Sequence, residues 1–244
     1  MPGSAPGISG AGYQVNVLER RFHAHREQVP LAGPMPRGTM KPVEIMTEGG
    51  VARAELDGDG ATARFLLVLT HGAGGTVEAP DLLAAREAGL QLGGLVARVT
   101  QPYRIRGARA PGSAVRQDAA WVEIVAALRE RAPGAPLVQG GRSNGARVAC
   151  RTAAVVGARA VIALAFPLRP PGRSSAGASR AAELHAAREG GAVVLVVSGD
   201  HDPFGMPGAQ DADRVVVVPG ETHALKGHRA VIIAAVAEWL PTVL

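Results

Sequence analysis

LVQGGRSNGARVAC, residues 137–150, sets an apolar run, a glycine pair, a serine between glycines and an alanine-rich stretch side by side. An apolar run that ends in glycines and resumes as NGARVACRTAAVV reads as a strand giving way to a helix, with Ser143 at the turn. The physics of such a turn accounts for the glycines. Its serine sits in a strained backbone conformation, and side chains two residues to either side would collide with the neighbouring strand and helix, so Gly141 and Gly145 fit where larger residues would not. The helix that begins at Ser143 aims free N–H groups and partial positive charge at the hydroxyl. Displayed this way, Ser143 is a candidate nucleophile. The alternative is an ordinary glycine-rich loop, and the rest of the chain has to decide between them.

A chain of 244 residues is long enough for one sizeable α/β domain and too short for two with linkers. Its 47% apolar content includes only 3% aromatics, so the core must be built of Val, Leu, Ile and Ala, which suits tightly packed parallel strands. The formal charge of +5 comes from arginines scattered among acids, without a basic run. That pattern reads as a solvated basic surface, and no nucleic-acid partner is expected. Cys150 is the one cysteine, which excludes an intramolecular disulfide and any multi-cysteine metal site; it reads as a core residue without chemistry. No apolar run approaches the ~18 residues of a membrane span. The opening MPGSAPGISGAGYQV lacks the basic start and apolar block of a secretory signal, so a cytoplasmic protein is expected.

Residues 1–40 are punctuated by Gly, Pro and Ser and read as a tail, with a short helix near 16–28 and with Met35 and Met40 as alternative starts. Residues 41–244 read as the domain. KPVEIMT and VARAELDG flank a Glu48-Gly49-Gly50 turn as a hairpin, and ARFLLVLT ends as a buried strand in HGAGG. Strands and helices then alternate: helix 77–91, strand GLVARVT, helix 113–132, strand PLVQG, a helix from 144, strand AVIALAF, helix 178–189, strands AVVLVVSG and RVVVVPG, and a last helix 227–239. Parallel strands need crossovers, which these helices supply, so the expected architecture is a mostly parallel sheet covered on both faces, opened by an antiparallel hairpin. Trp121 and Trp239 read as helix-to-sheet packing.

A serine hydroxyl needs a base to take its proton, and the base needs an orienting carboxylate. The last two strand ends offer both, in SGDHDPFG and PGETHALKGH. Asp202 is favoured as the acid, far enough past the strand to turn back over the sheet edge, with Asp200 the alternative. His223 is favoured as the base, because His228 is expected inside the final helix. An oxyanion formed at an attacked carbonyl needs prepositioned donors, for which the N–H groups of Asn144 and of Ala73 in HGAGG are the candidates. Arg104, Arg106 and Arg109 follow one strand, and Arg169 and Arg173 another. At the carboxyl edge of an open α/β sheet, such side chains are candidates to hold a substrate carboxylate or phosphate.

HGAGG at 71–75, GGRSNGARVA at 140–149, AFPLRPPGR at 165–173, VVSGDHDPFG at 196–205 and ETHAL at 221–225 together resemble the α/β-hydrolase superfamily over about residues 42–243. More narrowly they resemble its dienelactone-hydrolase-like branch, which includes the testis-expressed and NSL-complex-subunit hydrolase-like proteins. The resemblance implies an α/β-hydrolase fold, with Ser143 as nucleophile, Asp202 as orienting acid and His223 as base. It implies cleavage of an ester or thioester of a small acyl substrate through an acyl-enzyme, with no metal or organic cofactor. About 12 residues between Phe166 and the next helix leave no room for a large cap, so an open, water-accessible site is expected. Some members of this branch are subunits of larger assemblies, so the rival expectation is a non-catalytic module that binds a protein partner. An acyltransferase or cofactor-free peroxidase would use the same three side chains.

Overall fold

Strands that read as unbroken apolar runs are those whose two faces are both covered. The structure, a computed structural model, describes residues 42–170 and 178–244. The expectations for residues 1–40, and for Arg173, lie outside them. The chain runs β1 (Val43–Thr47), β2 (Gly50–Asp57), β3 (Leu66–Thr70), α1 (Pro80–Gln91), β4 (Leu95–Thr100), α2 (Pro102–Ile105), α3 (Ala114–Arg129), β5 (Leu137–Arg142), α4 (Asn144–Thr152), β6 (Ala160–Leu164), α5 (Ala181–Glu189), β7 (Val193–Gly199), β8 (Arg214–Val218) and α6 (Arg229–Trp239). The strands form one sheet in the order β1-β2-β4-β3-β5-β6-β7-β8. β1, β2 and β4 pair antiparallel and every later pair is parallel. This is the α/β-hydrolase fold, opened by the expected hairpin, and no cap domain interrupts the sheet among the described residues.

Alternation along the strands divides the core. Phe65, Leu67 and Leu69 face α1 and α6 together with Ile162 and Leu195. Leu66 and Val68 face α3 and α4 on the other side, with Val161 and Val196. Each fully buried aliphatic side chain contributes about 1.5–3 kcal/mol, so these two clusters dominate the stability of the fold. The helices begin and end inside the predicted ranges for local reasons. Pro80 occupies the first turn of α1, and the Ser113 hydroxyl accepts from the Arg116 amide at 3.4 Å to cap α3. Helix α2 was not expected; Pro102 starts one turn directly after β4. No helix among the described residues is long and apolar enough to cross a membrane.

The topology sets where a ligand can sit. From β3 the chain leaves to α1 on one face, and from β5 it leaves to α4 on the other. The carboxyl ends of these adjacent strands therefore part around a crevice, the place where open α/β sheets bind ligands. At the other end of the sheet, charges join the hairpin to the parallel body. Arg86 of α1 grips Asp57 of β2 through Nε at 2.6 Å and Nη2 at 2.5 Å, and Arg98 of β4 pairs with Glu55 at 2.7 Å. Burial works to raise the Asp57 carboxyl, but the Arg86 hydrogen bonds and charge outweigh it and hold the group below its ordinary value. A carboxylate depressed in the folded state stabilises above its unfolded pKa, and that contribution disappears as pH falls through the folded value. Asp57→Asn is therefore expected to cost about 1 kcal/mol at neutral pH. Urea denaturation of the two proteins should show the gap closing as pH falls toward about 3.

Candidate active site

At the end of β5 the backbone turns more tightly than ordinary side chains permit. A Cβ on Gly141 would lie 2.6 Å from the Thr70 carbonyl oxygen, and one on Gly145 would lie 2.6 Å from the same oxygen and 2.7 Å from that of His71. Between them Ser143 has φ 52° and ψ −116°, a region that a residue with a Cβ rarely occupies. Its N–H donates to Leu164 O at the end of β6 at 2.9 Å, and its carbonyl accepts from Arg147 N at 3.3 Å as α4 begins. The half-buried hydroxyl stands over the crevice between β3 and β5.

Two other strand ends meet it there. The loop from β8 to α6 carries His223, whose Nε2 lies 2.9 Å from Ser143 Oγ; its Nδ1 lies 2.8 Å from Asp202 Oδ2, in the loop after β7. This arrangement suits the tautomer in which Nδ1–H donates to the carboxylate and Nε2 accepts from the hydroxyl. The Asp202 side chain is fully buried, and its other oxygen accepts from Phe204 N at 2.9 Å. The Phe204 ring stands edge to face against the imidazole, with centroids 4.5 Å apart. The two loops can approach because Gly199 ends β7: a Cβ there would lie 2.1 Å from Glu221 O, which accepts from His201 N at 2.9 Å.

The alternative acid and base are engaged elsewhere. Asp200 is exposed and accepts from Gly220 N at 2.8 Å. His228, expected inside the last helix, lies just before it in non-helical backbone and meets Glu221 Oε1 through Nδ1 at 3.0 Å. That hydrogen bond, against the opposing effect of burial, holds the Glu221 carboxyl below its ordinary value. Glu221 also accepts from the amides of Lys226 and Gly227 and so ties the His223 loop to itself.

The HGAGG loop packs on the serine, since a Cβ on Gly72 would lie 3.1 Å from that of Ser143. His71 is fully buried, and its Nε2 accepts from Gln101 N at 3.1 Å, so Nδ1 carries the proton and donates to Gly72 O at 2.9 Å. Burial pushes the His71 pKa down, which favours this neutral form. Gly72 O also accepts from Gly75 N at 3.0 Å. In a trans peptide the N–H points opposite to the carbonyl, so fixing Gly72 O fixes the direction of the Ala73 N–H. Neither the Ala73 amide nor the Asn144 amide donates to a protein group among the described residues.

The arginines behave differently from one another. Arg104 braces the loop, donating from Nε to Gly75 O at 3.1 Å and from Nη1 to Ala108 O at 3.0 Å. Arg106 is not brought to the serine: its guanidinium donates to Gly49 O in the hairpin at the sheet edge. It lines a groove of about 400 Å³ with Glu48, Tyr103 and Arg116, which neither Ser143 nor His223 borders. Arg169 is exposed, and its N–H donates to Phe204 O at 2.8 Å, behind the ring that packs on His223. Arg109 is exposed in the loop that passes Gly74.

Two side chains at this site were not singled out by the sequence. Arg142, next to the serine, donates from Nε to Asp81 Oδ2 at 2.8 Å and from Nη2 to His223 O at 2.9 Å. Asp81 is fully buried in the first turn of α1; burial pushes its carboxyl up, and the charge and hydrogen bond of Arg142 oppose the shift. The one local signal was an arginine placed where a central strand ends.

Residues 63–223 match a family model described as an alpha/beta hydrolase domain. No curated protein matches the chain. Among solved structures, Est1E from Butyrivibrio proteoclasticus superposes with a TM-score of 0.66 at 18% identity, covering 82% of this chain and 98% of that one. XC6422 from Xanthomonas campestris, described as an a/b serine hydrolase without lid, gives 0.62 at 19% over 85% and 97%. A dienelactone hydrolase from Anabaena variabilis gives 0.64 at 16% over 84% and 97%. These likenesses are of fold. The close approach at Gly199 sets a steric limit on that position. Gly199→Ala drives a methyl into the Glu221 backbone and is expected to destabilise by about 2–3 kcal/mol in urea denaturation.

Proposed function

The chain belongs to the alpha/beta hydrolase family, and on that premise we propose that it is a serine hydrolase of carboxylic esters or thioesters of a small substrate. The observation that carries the reading is the hydrogen-bonded line from Ser143 Oγ through His223 to the buried Asp202 carboxylate, at 2.9 and 2.8 Å. In this reading Ser143 Oγ attacks the acyl carbonyl while His223 Nε2 takes its proton. The carbonyl oxygen, now an anion, lies against the N–H groups of Ala73 and Asn144, both free of protein acceptors among the described residues. His223 returns the proton to the departing alcohol or thiol, leaving an acyl-enzyme. Water, deprotonated by the same imidazole, then repeats the attack and releases the acid.

Asp202 holds the imidazole in the tautomer that can accept and stabilises its charge once it has accepted. Two features support the choice of Ser143 over a bland glycine loop: its strained backbone, and the absence of a side-chain cap made by its hydroxyl to the helix it starts. The reading places the chain in the dienelactone-hydrolase-like branch on the strength of GGRSNGARVA and GDHDPFG. It takes residues 41–244 as the hydrolase domain, residues 1–40 as an appended tail, and the cytoplasm as the location. Arg104 and Arg169 are retained as candidate substrate contacts, since they stand at the loops around the site.

A fluorophosphonate probe should label the folded wild type and leave Ser143→Ala unlabelled. With p-nitrophenyl esters of graded chain length, Asp202→Asn should lower kcat about 10⁴-fold. A folded wild type that neither labels nor turns over any ester would make the non-catalytic module the correct reading.

A further inference from the structure

We propose that Arg142, paired with Asp81, is a positioning residue that holds the His223 imidazole in register with Ser143; the proposal rests on the hydrolase reading above. Its guanidinium has two engagements at once, to Asp81 Oδ2 at 2.8 Å and to the backbone carbonyl of His223 at 2.9 Å. Arg142 is the covalent neighbour of Ser143. The guanidinium therefore refers the position of the base directly to the backbone that carries the nucleophile.

The other restraints on the His223 loop do not do this. Gly199 and His201 tie Glu221 to the β7 end, and Glu221 ties the loop to itself through Lys226, Gly227 and His228. These fix the base relative to the acid. Apart from the Ser143–His223 contact itself, Arg142 is the side chain that hydrogen-bonds this loop to the β5–α4 turn among the described residues. The loop needs such a restraint, because Leu225, two residues on, sits at φ 46° in backbone that a residue with a Cβ rarely adopts.

The pairing with Asp81 has two consequences. A planar guanidinium held on one side by a buried carboxylate keeps its second face aimed in a fixed direction, which a lysine in its place would not. The carboxylate also offsets a positive charge that would otherwise oppose proton uptake by the nearby imidazole. Asp81 is itself anchored in the first turn of α1, which is clamped between the sheet and α6 by Leu82, Ala85 and Ala88. The rigid core thus fixes Asp81, Asp81 aims Arg142, and Arg142 holds the loop of the base.

The test compares Arg142→Met, Arg142→Lys and the double variant Arg142→Met/Asp81→Leu with the wild type. Arg142→Met should lower kcat on a p-nitrophenyl ester about 100-fold, the effect of a misplaced catalytic group. KM should stay within about threefold, because ground-state binding is untouched. Arg142→Lys should recover part of the loss. The double variant should regain thermal stability, since no unpaired buried charge remains, and should stay as slow as Arg142→Met. If kcat returns with stability in the double variant, or never falls in Arg142→Met, Arg142 is a structural residue and the proposal is overturned. An activity-independent readout separates this from the hydrolase reading: the downfield NMR resonance of the His223 Nδ1 proton should be present in the wild type and lost in Arg142→Met. If the wild type fails to label with fluorophosphonate, that resonance alone decides, and its persistence in Arg142→Met refutes the positioning role.

Discussion

One backbone oxygen organises the site. The carbonyl of Thr70, at the end of β3, stands 2.6 Å from where a Cβ would project at Gly141 and also from where one would project at Gly145. Neighbouring parallel strands cannot bring a turn this close unless both positions lack side chains. Meeting that condition places the residue between them at φ 52°, a conformation that survives because the sheet and α4 over-determine it. The same approach brings the residues after Thr70, the HGAGG loop, onto the serine. Ser143 and the HGAGG loop are thus brought together by a single steric fit between β3 and β5.

The placement of Asp202 and His223 depends on a second close approach of the same kind, past the end of β7. Gly199 lets the chain after β7 come within contact of Glu221, and the Asp202 loop and the His223 loop become one unit joined by the His201–Glu221 bond. Each unit is rigid for its own reasons. What brings them into register is a small number of polar contacts across the crevice, among them the Arg142 guanidinium. Rigid halves with sparse cross-links make a device whose geometry depends strongly on each link. In the proposed hydrolase reading, catalysis that rests on positioning is sensitive at such places.

Much of the fold was legible in the sequence. Apolar runs such as LLVLT and VVLVVSG read as strands because both of their faces are buried, which leaves no polar alternation to mislead. Ser143, Asp202 and His223 could be singled out as candidates because each follows a strand, in a residue type that the proposed chemistry requires. What stayed hidden were contacts made by residues of unexceptional type. Arg142 was one of many arginines, and Asp81 one acid in a helical first turn, where acids are common. Their pairing spans 61 residues and exists only because β5 lies beside β3 in the sheet and α1 starts on the sheet face near the ends of both strands. Arg106 erred in the opposite direction: its place after β4 suggested the ligand crevice, but the α2 turn points it toward the hairpin. His228 lies just before the last helix, where Glu221, seven residues earlier, holds its ring.

Beneath the HGAGG loop, the buried polar groups form a chain that explains why that loop holds still. Thr70 Oγ1 donates to Val99 O at 2.9 Å and accepts from Gln101 Nε2 at 3.0 Å, while Gln101 Oε1 accepts from Gln117 Nε2 of α3 at 2.7 Å. The Gln101 amide then closes on His71 Nε2. β3, β4 and α3 are joined by neutral hydrogen bonds, each of modest net value but costly to leave unmade in a buried site. The chain works only while His71 is neutral, because a protonated imidazole would turn its acceptor into a second donor facing the Gln101 amide. Burial lowers the pKa of His71 and so favours the neutral ring that keeps the acceptor available.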